Sequence, residues 1–363
     1  MQKQESWADS LKGIAMCGVL MIHSGANSFP GFFGKLGEAG ARGVQLFYVI
    51  SAYLAFVSFS RITEDGEKNA GIREIKAWWV RRILRLLPLW YTALLFYLIL
   101  VPEGEPYWQA SRAGISAPNI LTHIFLLHGL NPYYINSILG IEWYLADLVL
   151  FYLIVPLLYR KITSLKRAVC FLAATVLCVG CIQYGADQLM PQTDTYLFQT
   201  YVHTFCILAQ LPVFAAGICL YHLRREKGGF EDLCHKKRIS YGILSVSTAL
   251  LVVLIYAMAY LDGLVEYMVF TLCFGGVIVS QMLHKCPLFD NPLLAGIGRN
   301  SYPIYLFHYL LLKLYRNYVT FSFHTPWLDW LLRFLGALGI SYIIAILAGK
   351  AGRYVKCIGK KCR

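Results

Sequence analysis

Long apolar segments alternate with short polar ones along most of the chain. Residues 241–261, YGILSVSTALLVVLIYAMAYL, approach the length of about 20 apolar residues that crosses a bilayer as a helix. The pattern predicts an all-α fold, a polytopic transmembrane helical bundle with about ten spans. The predicted spans are 9–27, 42–60, 86–102, 143–159, 168–186, 201–221, 239–260, 264–283, 301–318 and 328–349. No internal repeat is visible, so we expect one membrane domain over 1–363, with its core at about 6–349.

The segment 119–130, NILTHIFLLHGL, is short for a span, and the charges of the loops decide its placement. If it does not cross, one side of the membrane receives every strongly basic segment: 61–85, 160–167, 222–238, 284–300 and the tail 350–363. The other side receives only Lys35, Arg42 and Arg112. Lys and Arg concentrate in cytoplasmic loops, so we predict that both termini are cytoplasmic. The segment 119–130 is then a re-entrant or half-inserted helix.

The composition indicates a membrane protein, and this changes the interpretation of the positive net charge. Of 363 residues, 58% are hydrophobic and 15% are charged, whereas soluble domains carry about 25% charged residues. A net charge of +13 would suggest nucleic acid in a soluble protein, but basic cytoplasmic loops explain it here. We therefore expect membrane lipids and no nucleic acid as partners. The eleven cysteines are scattered, and we expect no metal site and no bound cofactor.

The first span carries a cation and an imidazole on one face. Lys12 and His23 are eleven residues apart, almost three helical turns, which separates them by roughly 16 Å along the axis. An ionisable group inside a span is a functional hypothesis, so His23 is a candidate general base. It is equally explained as a hydrogen-bonding contact between helices. Lys12 is a candidate partner for a phosphate or an acyl carrier, or it only extends toward the cytoplasmic surface.

A second cluster lies in IKAWWVRRILRLLPLWY, residues 75–91. Arg82 and Arg85 are three residues apart and share a helix face. Arginine forms bidentate pairs with phosphate, so the two residues are candidates for binding a phosphorylated donor. The alternative is an interfacial amphipathic helix whose charges only set the topology.

Two further groups of polar residues lie at the beginnings of spans. Ser301, Tyr305 and His308 form a polar stripe at helical spacing, as expected for a substrate pocket. An aromatic belt at the membrane interface would explain the tyrosine equally well. Glu142 and Asp147 flank the beginning of the fourth span, where a carboxylate can orient an imidazole or bind sugar hydroxyls. Simple surface exposure is the alternative for Glu142.

These motifs resemble, in content and order, the acyltransferase-3 family of integral-membrane O-acetylases of bacterial surface polysaccharides. Lys12, ten intervening residues and His23 are similar to the motif of the family's first helix. The stretch GVQLFYVISAYL resembles GVDLFFVLSGFL, with Gln45 for the usual aspartate and Ala52 for the usual glycine. The remaining matches are RRILRLLP (81–88), LPVFAAGICL (211–220) and GRNSYPIYLFH (298–308). The glutamate that many members carry in the fourth span is replaced by Leu148, with Asp147 one residue earlier.

The resemblance implies a role for each cluster. His23 would be the catalytic residue, supported by Lys12, and Arg82 and Arg85 would bind the phosphates of acyl-CoA, with acetyl-CoA the expected donor. The acceptor would be a hydroxyl of a cell-surface polysaccharide or its lipid-linked precursor, and the enzyme would be a multi-pass protein of the bacterial plasma membrane. Two alternatives remain: a transporter or flippase of a lipid-linked or acylated substrate, and an acyltransferase with a non-glycan acceptor.

Overall fold

The computed structural model describes residues 5–63, 71–103, 115–189, 195–226, 236–319 and 325–361. Helices and short connections make up these ranges, which contain no β-strand. The α-helices are α1 Ser6–His23, α2 Gly31–Ala39, α3 Gly43–Thr63, α4 Ile72–Leu100, α5 Ala117–Ile124, α6 Trp143–Lys161, α7 Leu165–Leu189, α8 Thr195–Thr200, α9 Ile207–Arg225, α10 Lys237–Ala257, α11 Gly263–Leu283, α12 Pro292–Arg299, α13 Ser301–Tyr318 and α14 Pro326–Lys361. The all-α fold is confirmed.

Eight of the ten predicted spans fall on helical segments of the described chain that are long and apolar enough to cross a membrane. The other two predicted spans, the first and the ninth, correspond to α1 and α13. These helices are less apolar because they carry polar residues such as Lys12, His23, His308 and Lys313. The helices with the candidate chemistry are thus the ones that hydropathy alone identifies least well. The total number of spans and the side of the termini stay predictions.

The helix ends differ from the predicted spans where polar residues extend a helix without adding hydropathy. Helix α4 begins at Ile72 rather than near 86, so Arg82 and Arg85 lie within the helix and not at its beginning. Helix α14 continues through the predicted tail to Lys361. Helix α1 ends at His23, four residues before the predicted end of the first span.

The region 119–130 forms the eight-residue helix α5 and a single 3-10 turn, His128–Leu130. An eight-residue helix is about 12 Å long, well below the roughly 30 Å of the hydrocarbon core. Ser116 caps α5 by accepting a hydrogen bond from the Asn119 N–H at 3.4 Å. The length of this helix agrees with the predicted half-inserted segment.

Helix α1 lies at the centre of the bundle and packs against α3, α12 and α13. The contact with α12 is a close approach of two backbones. A Cβ atom on Gly298 would lie 1.7 Å from the Asp9 carbonyl oxygen, and one on Gly13 would lie 2.1 Å from that of Leu294. Only glycine fits at these positions, as in other closely packed membrane helices. The short helix α12 therefore fixes the N-terminal half of α1, which carries Lys12 and is predicted to lie on the cytoplasmic side.

Candidate functional site

The C-terminal end of α1 places His23 against α13. The chain turns immediately after this helix because Gly25 adopts the left-handed conformation, with φ of 93°. The His23 ring centroid lies 5.3 Å from that of His308 and 4.9 Å from that of Tyr309. No described residue forms a hydrogen bond with the His23 ring. Its nitrogens are therefore available to a substrate.

Two cavities have His23 as a common wall. The first, of about 310 Å³, lies between α1, α3, α6, α11 and α13, and its wall includes Gln45, Tyr267 and Tyr305. The second, of about 180 Å³, lies between α1, α13 and α14. Because both cavities reach the end of α1, a group bound in either one lies beside the imidazole.

An ion pair that the sequence did not suggest forms one side of the larger cavity. The Arg42 Nε and Nη2 atoms donate to the two carboxylate oxygens of Glu266 at 2.6 and 3.1 Å. Nearby, the Gln45 Nε2 donates to Gln210 at 3.2 Å, while the Gln45 Oε1 is buried and accepts no hydrogen bond from the described residues. Four aromatic side chains also line the wall, among them Tyr305 and Trp143. Such a mixture of aromatic faces and polar groups suits a hydroxylated ligand.

His308 packs against His23, and a hydrogen bond to the backbone defines its tautomer. Its Nδ1 lies 2.7 Å from the Tyr305 carbonyl oxygen, so Nδ1 carries the proton and donates it there. Its Nε2 is then an acceptor, and it is buried without a hydrogen-bond partner among the described residues. The Tyr305 hydroxyl donates to the Ile141 carbonyl, which ties α13 to the loop that precedes α6. The structure thus brings three predicted site residues, His23, Tyr305 and His308, to one place.

A cationic group lies deeper toward the predicted cytoplasmic side. Lys12 is within electrostatic range of the Asp9 carboxylate and of Arg82 and Arg85. Arg82 is held by the protein: it donates to the Leu54 carbonyl at 3.2 Å and to the Ser58 hydroxyl at 2.5 Å. The Arg85 side chain is exposed. Three cations from two helices therefore surround one region, which suits a ligand with several phosphates.

Glu142 is fully buried, so surface exposure does not describe it. Its Oε1 accepts from the N–H groups of Ile138 and Leu139 at 2.9 and 3.1 Å. Its Oε2 accepts from the N–H groups of Gly140 and Ile141 at 2.6 and 2.9 Å. Burial alone would raise the pKa of Glu142, but the hydrogen bond and the charge interaction with His123, together with His128 and a backbone N–H group, hold the pKa below its ordinary value. The carboxylate thereby organises the turn that lines the larger cavity.

His123 completes this buried network. Its Nε2 lies 3.2 Å from Glu142 Oε1 and its Nδ1 lies 2.9 Å from the Asn119 carbonyl oxygen. Each ring nitrogen faces an acceptor, which is the arrangement of a protonated imidazole paired with a carboxylate. The His128 ring stacks on the His123 ring at 4.3 Å. Burial lowers the pKa of His128 to about 3, so this second ring is uncharged at neutral pH.

The remaining two predicted site residues lie outside the two cavities. Asp147 is fully buried and accepts a hydrogen bond from the Tyr48 hydroxyl at 3.1 Å, while its Oδ1 has no hydrogen-bond partner among the described residues. Ser301 begins α13 and is half-buried. It lies seven residues, or about 10 Å along the helix, before His308.

Sequence reasoning missed five polar residues beside these cavities: Arg42, Glu266, Lys313, Arg316 and Arg333. Arg42 was counted only as a loop charge, and its pairing with Glu266 joins positions 224 residues apart. A signal existed for Lys313 and Arg316, since cations in the predicted outer half of a span are not explained by positive cytoplasmic loops.

The fold and site define a helical membrane protein with a histidine between two cavities and a cationic region roughly 16 Å away along α1. A family model described as an acyltransferase domain matches residues 5–346, and the chain belongs to this acyltransferase-3 family. Proteins of Staphylococcus aureus strains COL and N315, provisionally named O-acetyltransferases, are each 23% identical over 335 residues. The match covers 85% of this chain and 51% of each relative, so the chain spans about half the length of these relatives. No solved structure matches the chain significantly.

Proposed function

We propose that the protein transfers an acyl group, most simply acetyl, from cytoplasmic acyl-CoA to a hydroxyl of a cell-surface polysaccharide or its lipid-linked precursor. The observation that carries the proposal is the placement of His23, on the wall of two cavities and on the same helix as Lys12. Membership of the family supports acyl transfer. The provisional names of the Staphylococcus aureus relatives support acetyl as the group transferred.

The cationic region supports the choice of donor. Coenzyme A carries several phosphates, and Lys12, Arg82 and Arg85 provide three cations at the predicted cytoplasmic side. His23 lies roughly 16 Å from Lys12 along α1, measured at 1.5 Å per residue. An extended pantetheine arm spans such a distance, so the phosphates would stay near the arginines while the thioester reaches the imidazole.

The chemistry assigned to His23 is general base catalysis. The imidazole takes the proton of the acceptor hydroxyl as the oxygen attacks the thioester carbonyl. A carbon–oxygen bond forms, the carbon–sulfur bond breaks, and the proton passes from His23 to the departing thiolate of coenzyme A. His308 packs against His23 and is a positioning residue, since its Nδ1 is held by the Tyr305 carbonyl. The cavity of about 310 Å³ would hold the acceptor sugar.

The test is transfer of labelled acetyl groups from acetyl-CoA by purified protein in nanodiscs, with a membrane glycan fraction as acceptor. We expect His23→Ala to reduce transfer by about 10²–10⁴-fold, because a general base is lost. His284→Ala is the matched control, since His284 follows the end of α11 and lines neither of the cavities next to His23 in the described chain. Unchanged turnover in folded His23→Ala protein would contradict the catalytic role. His23 would then serve only as a contact between helices.

A further inference from the structure

The smaller cavity next to His23 is lined by cations. Lys313 and Arg316 come from one face of α13, three residues apart, and Arg333 comes from α14. No acidic side chain is among the described residues that line this cavity. All three cations lie in the predicted outer halves of their helices, where positive cytoplasmic loops give no reason for them. Three cations on one cavity wall make this cavity a candidate site for an anionic ligand.

Burial separates this group from cations that extend to the membrane surface. Lys313 is only 3% exposed, and its Nζ lies 5.1 Å from the centre of the Tyr309 ring and 5.7 Å from that of Tyr97. A lysine that merely reaches the interface keeps its ammonium in water. A buried cation within a span is costly and marks a functional site by default.

Arg333 is directed to the cavity by its surroundings. Its Nε donates to the Asp329 carbonyl oxygen at 3.2 Å, one turn earlier on α14. Its Nη1 lies beside Gly25, where a Cβ atom would meet it at 3.6 Å. The guanidinium therefore covers the turn that follows His23. Arginine in this position suits the planar oxygen pairs of a carboxylate or a phosphate.

We infer that this cavity binds an anionic group, a phosphate or a carboxylate, carried by the acceptor beside the hydroxyl that is acylated. This inference rests on the proposed function, because it names the chemical class of the acceptor in the proposed transfer. His23 and Tyr309 line the same cavity as the three cations. An anion held there brings a neighbouring hydroxyl of the same molecule to the imidazole. A neutral acceptor would gain nothing from these cations.

The test measures binding without acetyl-CoA, so its outcome does not depend on acyl transfer. The full chain is placed in nanodiscs of zwitterionic phosphatidylcholine, and affinities are measured by calorimetry for two pairs of probes. These are glycerol 1-phosphate with glycerol, and D-glucuronate with D-glucose. We expect one anionic probe to bind at least tenfold more tightly than its neutral counterpart, and the pair that shows the preference identifies phosphate or carboxylate. Equal affinities within both pairs would overturn the inference.

Variants locate the binding. In Arg316→Gln, Arg333→Gln protein we expect affinity for the anionic probe to fall by about tenfold to hundredfold, as expected for lost charge-assisted hydrogen bonds. Lys35→Gln is the matched control, a cation on the predicted outer side that lies outside this cavity. Arg85→Gln controls for binding at the cytoplasmic cations. Arg316→Gln alone, at an exposed side chain, should fold normally and still weaken binding.

Two results would contradict the inference while leaving acyl transfer untouched. One is a preference for anions that persists in the double variant. The other is loss of probe binding when phosphatidylglycerol replaces half of the phosphatidylcholine, because the cavity would then hold a lipid headgroup and not the acceptor. Failure of acetyl transfer with intact anion binding would instead count against the proposed function alone.

Discussion

Arg82 and Arg85 share a helix face but differ in what holds them. The Arg82 guanidinium lies between two aromatic rings, 4.9 Å from the centre of Trp78 and 4.7 Å from that of Tyr152. It also donates to α3, so it joins two helices. Arg85 is exposed, and the part of the chain that the structure describes gives it no hydrogen bond. Arg85 is therefore the residue freer to bind a donor, and Arg82 shapes the region around it.

Substitution of the two arginines by lysine should separate these roles. We expect Arg85→Lys to raise the KM for acetyl-CoA by about tenfold with little change in thermal stability, because lysine keeps the charge but loses the bidentate geometry. Arg82→Lys should also lower the melting temperature, since it loses stacking and the bond to Leu54. Steady-state kinetics and thermal unfolding in detergent measure both. Arg81→Lys, at an exposed side chain on another face, is the control. A silent Arg85→Lys would favour a purely topological role.

Among the elements, the turn before α6 depends on one carboxylate. Glu142 accepts hydrogen bonds from the four backbone N–H groups of residues 138–141 and pairs with the His123 ring. Trp90 adds to this anchor by donating its indole N–H to the His123 carbonyl at 2.9 Å. Because Gly140 and Ile141 line the larger cavity, the shape of that cavity follows from this network.

Glu142→Gln should therefore destabilise the protein by about 3–5 kcal/mol, because it leaves the His123 imidazole without its counter-charge. The glutamine amide group would also face backbone donors. Thermal unfolding checks this, with Glu38→Gln at an exposed position of α2 as the control. A loss below about 1 kcal/mol would contradict the anchoring role.

The same carboxylate predicts a pH dependence. Since the folded pKa of Glu142 is lowered, its contribution is complete above the ordinary pKa of 4.5 and is lost as the pH falls through the folded value. We expect the melting temperature of the native protein to fall below pH 4.5 more steeply than that of Glu142→Gln.

The sequence indicates apolar elements better than it indicates contacts. The predicted ninth span, 301–318, coincides with α13 because apolar residues recur along it between the polar ones. The predicted beginning of α4 is too late because five basic residues are spread over 72–85, and α2 and α12 are not predicted because each is under ten residues. The sequence leaves Glu142 between a site role and surface exposure, because most of its partners are backbone groups, which leave no trace in side-chain patterns. The proximity of His23 and His308 was equally hidden, since 285 positions separate them in the sequence.

At the scale of the whole molecule, the proposed transfer depends on orientation. The donor must meet Lys12, Arg82 and Arg85 from the cytoplasm, while the acceptor reaches His23 from the other side. The charge of the loops supports this orientation, with four cations in 160–167 alone. Counting 119–130 as a crossing would place 160–167 outside and would invert every helix from α6 onward. The placement of that segment therefore decides the direction of α13 and α14, whose residues line the smaller cavity beside His23.

Cysteine labelling in intact cells tests this orientation directly. Ser164 lies in the exposed connection between α6 and α7, and Ser28 lies in the exposed connection before α2. On a cysteine-depleted background, we expect an impermeant maleimide to label Ser28→Cys in intact cells and to label Ser164→Cys only after the membrane is permeabilised. Because the two sites bracket the segment 119–130, they report whether an even or an odd number of crossings separates them. Labelling of Ser164→Cys from outside would mean that 119–130 crosses the membrane, and α13, which places His308 and Lys313 beside His23, would then run in the direction opposite to the predicted one.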